Sequence, residues 1–137
     1  MTEIRFSIRG VAVPWARAGR FGSRSFTPTK QKNYMAMIKA ECADAMNTPP
    51  LEGPVSYELI AVFPRPKSHS RKRREAVGGA WKDTKPDADN LSKIIKDAVE
   101  GIAYINDSQI ADTRSRKLWG DEPGITVVIR SLEGVAP

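Results

Sequence analysis

KPDADNLSKIIKDAVEGIAYINDSQ, residues 85–109, is the stretch around which the chain is organised. Asp87 and Asp89 stand two apart just after Pro86 and directly before an amphipathic run, and Asp107 follows in the turn that closes it. Pro86 biases its predecessor towards an extended conformation. If Asp87–Asp89 stays extended, both carboxylates project to one side. Asp89 or Asn90 is then a natural N-cap, because a short oxygen-bearing side chain satisfies free N–H groups of the first turn. Leu91, Ile94, Ile95, Ala98 and Ile102 recur at helical spacing and predict one apolar face, with Asp89, Lys93, Lys96, Asp97 and Glu100 on the other. The helix stop falls between Gly101 and Asn106.

Carboxylates converging from both ends of one helix suit a hard divalent cation, since Mg2+ takes oxygen ligands. Lys93, one turn beyond Asp89, is placed to reach a phosphate beside such an ion. Plainer readings stand next to this one. Asp89 alone serves as a helix cap, and Lys93 with Asp97 makes an ordinary surface pair at i,i+4.

The charge pattern extends the argument outward. The net charge is +6 over 137 residues, and its distribution is uneven. Residues 1–39 hold eight Lys/Arg against one acid, and residues 64–85 hold eight against two. Residues 86–113 reverse this, with six acids and two lysines. Basic arms beside a carboxylate cluster match what a nucleic-acid backbone and a bound metal require together. One cysteine, Cys42, and one histidine, His69, exclude an internal disulfide and a zinc set. His69 reads as a loop residue. No Gly-rich nucleotide loop or nucleophile constellation points to a metabolic enzyme. No stretch approaches the roughly 20 apolar residues of a membrane span, and MTEIRFSIRG lacks a signal-peptide pattern, so a cytoplasmic protein with no membrane partner is expected.

In chain order, Ile4, Phe6 and Ile8 alternate with polar residues and predict a strand. Residues 10–26 read as an exposed loop in which Arg17, Arg20 and Arg24 are candidate phosphate contacts; Trp15 and Phe21 stack on bases or anchor the loop to the core. Thr27–Pro28 predicts a helix start, and the helix runs to Met46 with Tyr34, Ile38, Cys42 and Ala45 inward. Val55–Phe63 predicts a central strand. Residues 64–85 predict a long loop with one helical turn near Arg71–Val77. Within it Arg71, Lys72, Arg73, Arg74 and Lys85 are candidate DNA contacts, the arginine-rich run ordering on binding. Ser108–Trp119 reads as a strand, GDEPG as a hairpin turn, and Ile125–Ile129 as the last strand. The expected fold is α+β: one domain over 1–137, β-α-β-α-β-β, with a mixed sheet and two helices on one face.

The ordered pattern D-x-D-N, a lysine three residues on, then an aspartate shortly before a glutamine beyond the helix, resembles the signature of the RusA family of Holliday junction resolvases. The resemblance is specific over residues 85–109 and loose elsewhere. It implies a homodimeric, Mg2+-dependent endodeoxyribonuclease, with Mn2+ as a substitute, that makes paired nicks in four-way DNA junctions during recombination and repair. Carried over by position, Asp87, Asp89 and Asp107 are the metal-binding and catalytic carboxylates and Lys93 the catalytic lysine. Family members often carry two acids where this chain has Asn106–Asp107, and Asn106 can offer a carbonyl oxygen instead. Two alternatives stay open: a nuclease for flaps, forks or other branched DNA, and a noncatalytic junction-binding protein whose acids are caps and surface pairs.

Overall fold

A computed structural model describes residues 2–16, 19–21, 24–26, 29–67 and 80–133, with the backbone alone for 19–21 and 24–26. The elements are β1 (Glu3–Arg9), β2 (Gly19–Phe21), β3 (Arg24–Phe26), α1 (Thr29–Ala45), β4 (Val55–Pro64), β5 (Ala80–Trp81), α2 (Ala88–Val99), a 3-10 turn (Asp107–Gln109), β6 (Ile110–Gly120) and β7 (Gly124–Ser131). Five strands form one sheet in the order β1-β7-β4-β6-β5, and β2–β3 forms a separate two-stranded ribbon. The β4–β6 pair is parallel, and the other sheet pairs are antiparallel. A parallel pair needs a crossover. Here that crossover contains α2, so the helix with the carboxylates is the link that turns the chain back.

The expected mixed sheet with two helices is the observed fold. Alternation produces it: Ile4, Phe6 and Ile8 of β1, every second residue of β4 from Val55 to Phe63, and Ile125, Val127 and Ile129 of β7 are buried. Residues opposite in pleat, such as Arg5, Glu58, Arg116 and Arg130, occupy the other face and pair there as Arg116–Glu58 at 3.0 Å and Arg130–Glu3 at 2.8 Å. Helix α1 packs on β1 and on α2, and α2 on β6, so both helices cover the apolar face. Tyr34, Ile38 and Cys42 of α1 are buried as the spacing predicts, and Ala45 is half-buried. Burial pushes the Cys42 thiol up to about 11, which keeps it protonated and inert at neutral pH.

Two local expectations give way. GDEPG joins β6 to β7 but makes no hairpin, because β4 lies between these strands and pairs with both. The turn residues reverse the chain over two strand spacings rather than one. Gly120 and Gly124 permit the tight passage: a Cβ at Gly120 would stand 2.7 Å from Val62 Cγ1, and one at Gly124 2.7 Å from the Ile8 carbonyl oxygen. The second difference is the ribbon β2–β3 in what reads as an irregular loop. Its six residues carry too little periodicity to announce strands.

Of the long loop expected over residues 64–85, residues 68–79 lie outside the described part, along with the helical turn anticipated there. Its end is ordered: Ala80 and Trp81 pair with Trp119 and Leu118 as the edge strand β5.

Candidate active site

Helix α2 has its N-cap two residues ahead of the earlier of the two expected positions, and it ends at Val99, short of the expected stop between Gly101 and Asn106. Asp87 occupies the N-cap position, with an extended backbone and no side-chain capping bond, while its carbonyl accepts from Leu91 N–H at 3.2 Å. Asp89 is therefore inside the first helical turn and is not the cap. Asp87 alone keeps an extended backbone while Ala88 and Asp89 are helical, so the fully extended Asp87–Asp89 run expected from sequence does not form. Asp89 gains from the positive end of the helix dipole, and Asp87 is exposed with its carboxylate uncommitted to capping.

At its other end, α2 leads through Gly101, which has a φ of +85°, into the turn that carries Asp107. That turn is braced by Gln109. Its Oε1 accepts from Ile105 N–H at 2.8 Å and Asn106 N–H at 2.9 Å, and its Nε2 donates to the carbonyls of Leu51 and Gly53 at 2.9 and 2.8 Å. The Asn106 side chain accepts from Ser108 N–H at 2.8 Å and caps the 3-10 turn. The turn thus takes up one of the two lone pairs of the Asn106 amide oxygen. Glu100 Oε1 accepts from Asp107 N–H at 3.1 Å and ties the turn back to the helix end.

These placements bring Asp89, Lys93 and Asp107 to one open cleft of about 290 Å³, whose lining also includes Asp97 and Lys96. Asp87 is not part of the lining. The floor is supplied by Ser92 of α2 and by Thr113 and Ser115, which point from β6 to the helix side. At roughly 30 Å³ per water, the space accommodates a phosphate group with hydration around it.

The two ammonium groups are seated on aromatic rings. Lys93 Nζ lies 4.6 Å from the centre of the Trp15 ring, and Lys96 Nζ lies 4.8 Å from that of Tyr57. Trp15 is held in turn by its own backbone, whose N–H donates to the Asn90 carbonyl at 3.0 Å, and the next amide, Ala16, donates to Gln31 Oε1 at 2.9 Å. Trp15 thus anchors its loop between the two helices. Beneath the cleft, Tyr57 Oη donates to Ser92 Oγ at 3.1 Å, and Ser92 Oγ shares a hydrogen bond of 2.9 Å with Ser115 Oγ. Burial pushes the Tyr57 phenol far above its ordinary value, so it remains a donor.

Among the described residues no three His, Cys, Asp or Glu side chains form a group that could hold a metal ion by themselves. The lining nevertheless has the donor chemistry of a hard cation site, with three carboxylates and three hydroxyls and neither sulfur nor imidazole. Mg2+ is usually held by one or two carboxylates together with waters and substrate phosphates, not by a complete protein cage. The residues fit an ion that arrives with a phosphate.

Lys96 and Asp97 were not singled out for the site from sequence, although their spacing of three and four from Lys93 was the available signal. Of the candidate DNA contacts, Lys85 is exposed just ahead of Asp87. Arg17, Arg71, Lys72, Arg73 and Arg74 lie outside the described residues. Arg20 and Arg24 belong to the backbone of β2 and β3. No helix among the described residues is long and apolar enough to cross a membrane.

Residues 10–130 match the family model described as Endodeoxyribonuclease RusA. This chain belongs to the RusA endodeoxyribonuclease family. The RusA match runs from the end of β1 to the last residues of β7, and so takes in the whole cleft. A full-length relative, described as the uncharacterized protein YqaN of Bacillus subtilis (strain 168), is 31% identical over 142 residues, covering 96% of this chain and 99% of the relative. RusA membership identifies the chemistry as hydrolysis within DNA strands, and among the described residues the cleft brings three carboxylates and two ammonium groups together.

Proposed function

We propose that the cleft hydrolyses phosphodiester bonds in four-way DNA junctions with a divalent cation, Mg2+ or Mn2+. The observation that carries this reading is the convergence of Asp89, Asp97 and Asp107 with Lys93 and Lys96 in one cleft of a RusA-family chain. Asp89 and Asp107 would hold the cation, with Asp87 exposed two residues before Asp89 as a further oxygen donor. When bound, the ion would supply Lewis acidity to the phosphoryl group and acidify the water that attacks phosphorus as the bond to the leaving oxygen breaks. The chain's own residues do the rest. Lys93 and Lys96 neutralise the non-bridging and leaving oxygens as negative charge develops on them. The Trp15 and Tyr57 rings keep both ammonium groups directed at the cleft. The Tyr57–Ser92–Ser115 chain holds the floor in place, so little reorganisation accompanies the reaction.

Basic residues on either side of the cleft in sequence suit the phosphate backbone of several DNA arms. A four-way junction is two-fold symmetric and must be nicked twice, which a C2 homodimer with two equivalent clefts achieves.

The test is cleavage of a labelled four-way junction with Mg2+, beside matched duplex and flap substrates, by the wild type and by Asp89→Asn. Paired nicks by the wild type on the junction are expected. The variant should bind the junction and lose roughly a hundredfold or more in rate, the scale of a lost electrostatic contribution to the transition state. Equal cutting of flaps assigns a broader branched substrate. Binding without cutting by the wild type under every divalent cation overturns the catalytic reading.

A further inference from the structure

The helix-side residues of β6 run Thr113, Ser115, Lys117, Trp119, following the register that sets Tyr57, Leu59, Ala61 and Phe63 of β4 beside them. The first two line the cleft. The third reaches past it. Lys117 Nζ donates to the carbonyls of Thr84 at 2.7 Å and Pro86 at 2.9 Å, both in the segment that delivers the chain to Asp87. Lys82 holds the same segment from the other side: its Nζ donates to Thr84 Oγ1 at 2.7 Å, and its backbone N–H donates to the Lys117 carbonyl at 2.9 Å. The Lys82 ammonium lies over the Trp119 ring at 3.9 Å and the Phe63 ring at 5.1 Å, in a side chain that is 8% exposed.

This arrangement is electrostatically costly. Burial lowers the Lys82 pKa, the neighbouring Lys117 lowers it further, and Asp83 offsets only part. A position packed on Trp119 and Phe63 would accept an aliphatic side chain without burying a cation. Two lysines spent on three oxygens of a three-residue lead-in have one effect that an apolar contact lacks: they fix where the carbonyls point. The carbonyl of Pro86 is one peptide from Asp87, and Asp89 follows in the first helical turn.

We propose that Lys117 and Lys82 are positioning residues that latch residues 84–86, and through them set the aim of Asp87 and Asp89 relative to Asp107. This rests on the nuclease reading above. The latch acts through the backbone and not by touching the substrate, which separates it from the roles given to Lys93 and Lys96.

The experiment compares the wild type with Lys117→Met, Lys117→Arg and Thr84→Val by amide hydrogen exchange over residues 83–91, by junction binding in EDTA and by steady-state cleavage in Mg2+. Lys117→Met should exchange faster in that segment alone, bind the junction in EDTA as the wild type does, and lose roughly tenfold in kcat with KM unchanged, the scale of a lost supporting contact behind a site. Lys117→Arg, which still donates to carbonyls, should recover part of the loss. Thr84→Val removes only the hydroxyl that Lys82 holds, and gives a milder change in the same direction even if Lys117→Met does not fold. Wild-type exchange and wild-type kcat in both Lys117→Met and Thr84→Val overturn the latch. Weakened binding in EDTA by Lys117→Met also overturns it and makes Lys117 a DNA contact. If the wild type cuts nothing while the exchange change is seen, the latch stands and the nuclease reading falls.

Discussion

Trp15 is where an ambiguous residue acquires a definite use. In sequence it is an aromatic in an arginine-containing stretch, where anchoring a loop is the plainer reading and stacking on a base the other. In the fold its amide is bonded to Asn90 and its ring lies under the Lys93 ammonium. A cation on an indole gains about 0.5–1 kcal/mol at a solvent-accessible site. Trp15→Leu should therefore slow junction cleavage by roughly two- to fivefold while Trp15→Phe retains most of the rate; equal rates for both variants in a single-turnover assay would remove the ring from the mechanism. Gln109 teaches the same lesson from the other direction. Its place after the aspartate was legible only as part of a signature, and its work is mechanical: one amide group reaches four backbone partners and holds the turn on which Asp107 rides.

Helix α2 was the most legible element, because of the five apolar positions predicted to share one face four, Leu91, Ile94, Ile95 and Ala98, are buried within it, while Ile102 falls in the turn beyond its end. Its start was less legible, since Asp87, Asp89 and Asn90 are all good capping residues and local chemistry alone does not rank them. Ser92 escaped the pattern altogether. It is a polar residue on the inner side of the helix, 5% exposed, and what makes it fit is a partner in β4 and another in β6 that no local reading supplies. Ser92→Ala should cost about 1–3 kcal/mol, because the Tyr57 hydroxyl would be left buried without its acceptor. Urea denaturation of Ser92→Ala and of Ser92→Ala with Tyr57→Phe checks this. The double variant, which removes the stranded hydroxyl as well, should recover part of the loss, and an equal or greater loss would show that the chain of hydroxyls is not what Ser92 supports.

At the scale of the whole molecule, strand periodicity was enough to name the layers, and strand neighbours were not. The sequence order of β6 and β7 invites a hairpin, yet the sheet places β4 between them. Pairing is decided by which apolar strand fills the centre of the sheet, and β4, buried at every second residue along its length, is the best candidate for that place. The crossing over its end depends on glycine. Gly124→Ala should be destabilising by about 1–3 kcal/mol, as for other overpacked sites, because the added carbon meets the backbone oxygen of Ile8. Gly120→Ala meets a Val62 methyl and should cost less. Urea midpoints in the reverse order would show that the passage between β6 and β7 is looser than the geometry implies. The same topology bears on how the protein is made. β7 is the last of the described strands, yet it lies second in the sheet and is the partner of β1, its first residue Gly124 opposite Arg9. On a ribosome, β1 emerges more than a hundred residues ahead of the only strand that can pair with it in this sheet, so the N-terminal strand waits as an unpaired edge. The sheet therefore closes only after the helix that carries Asp89 has been made.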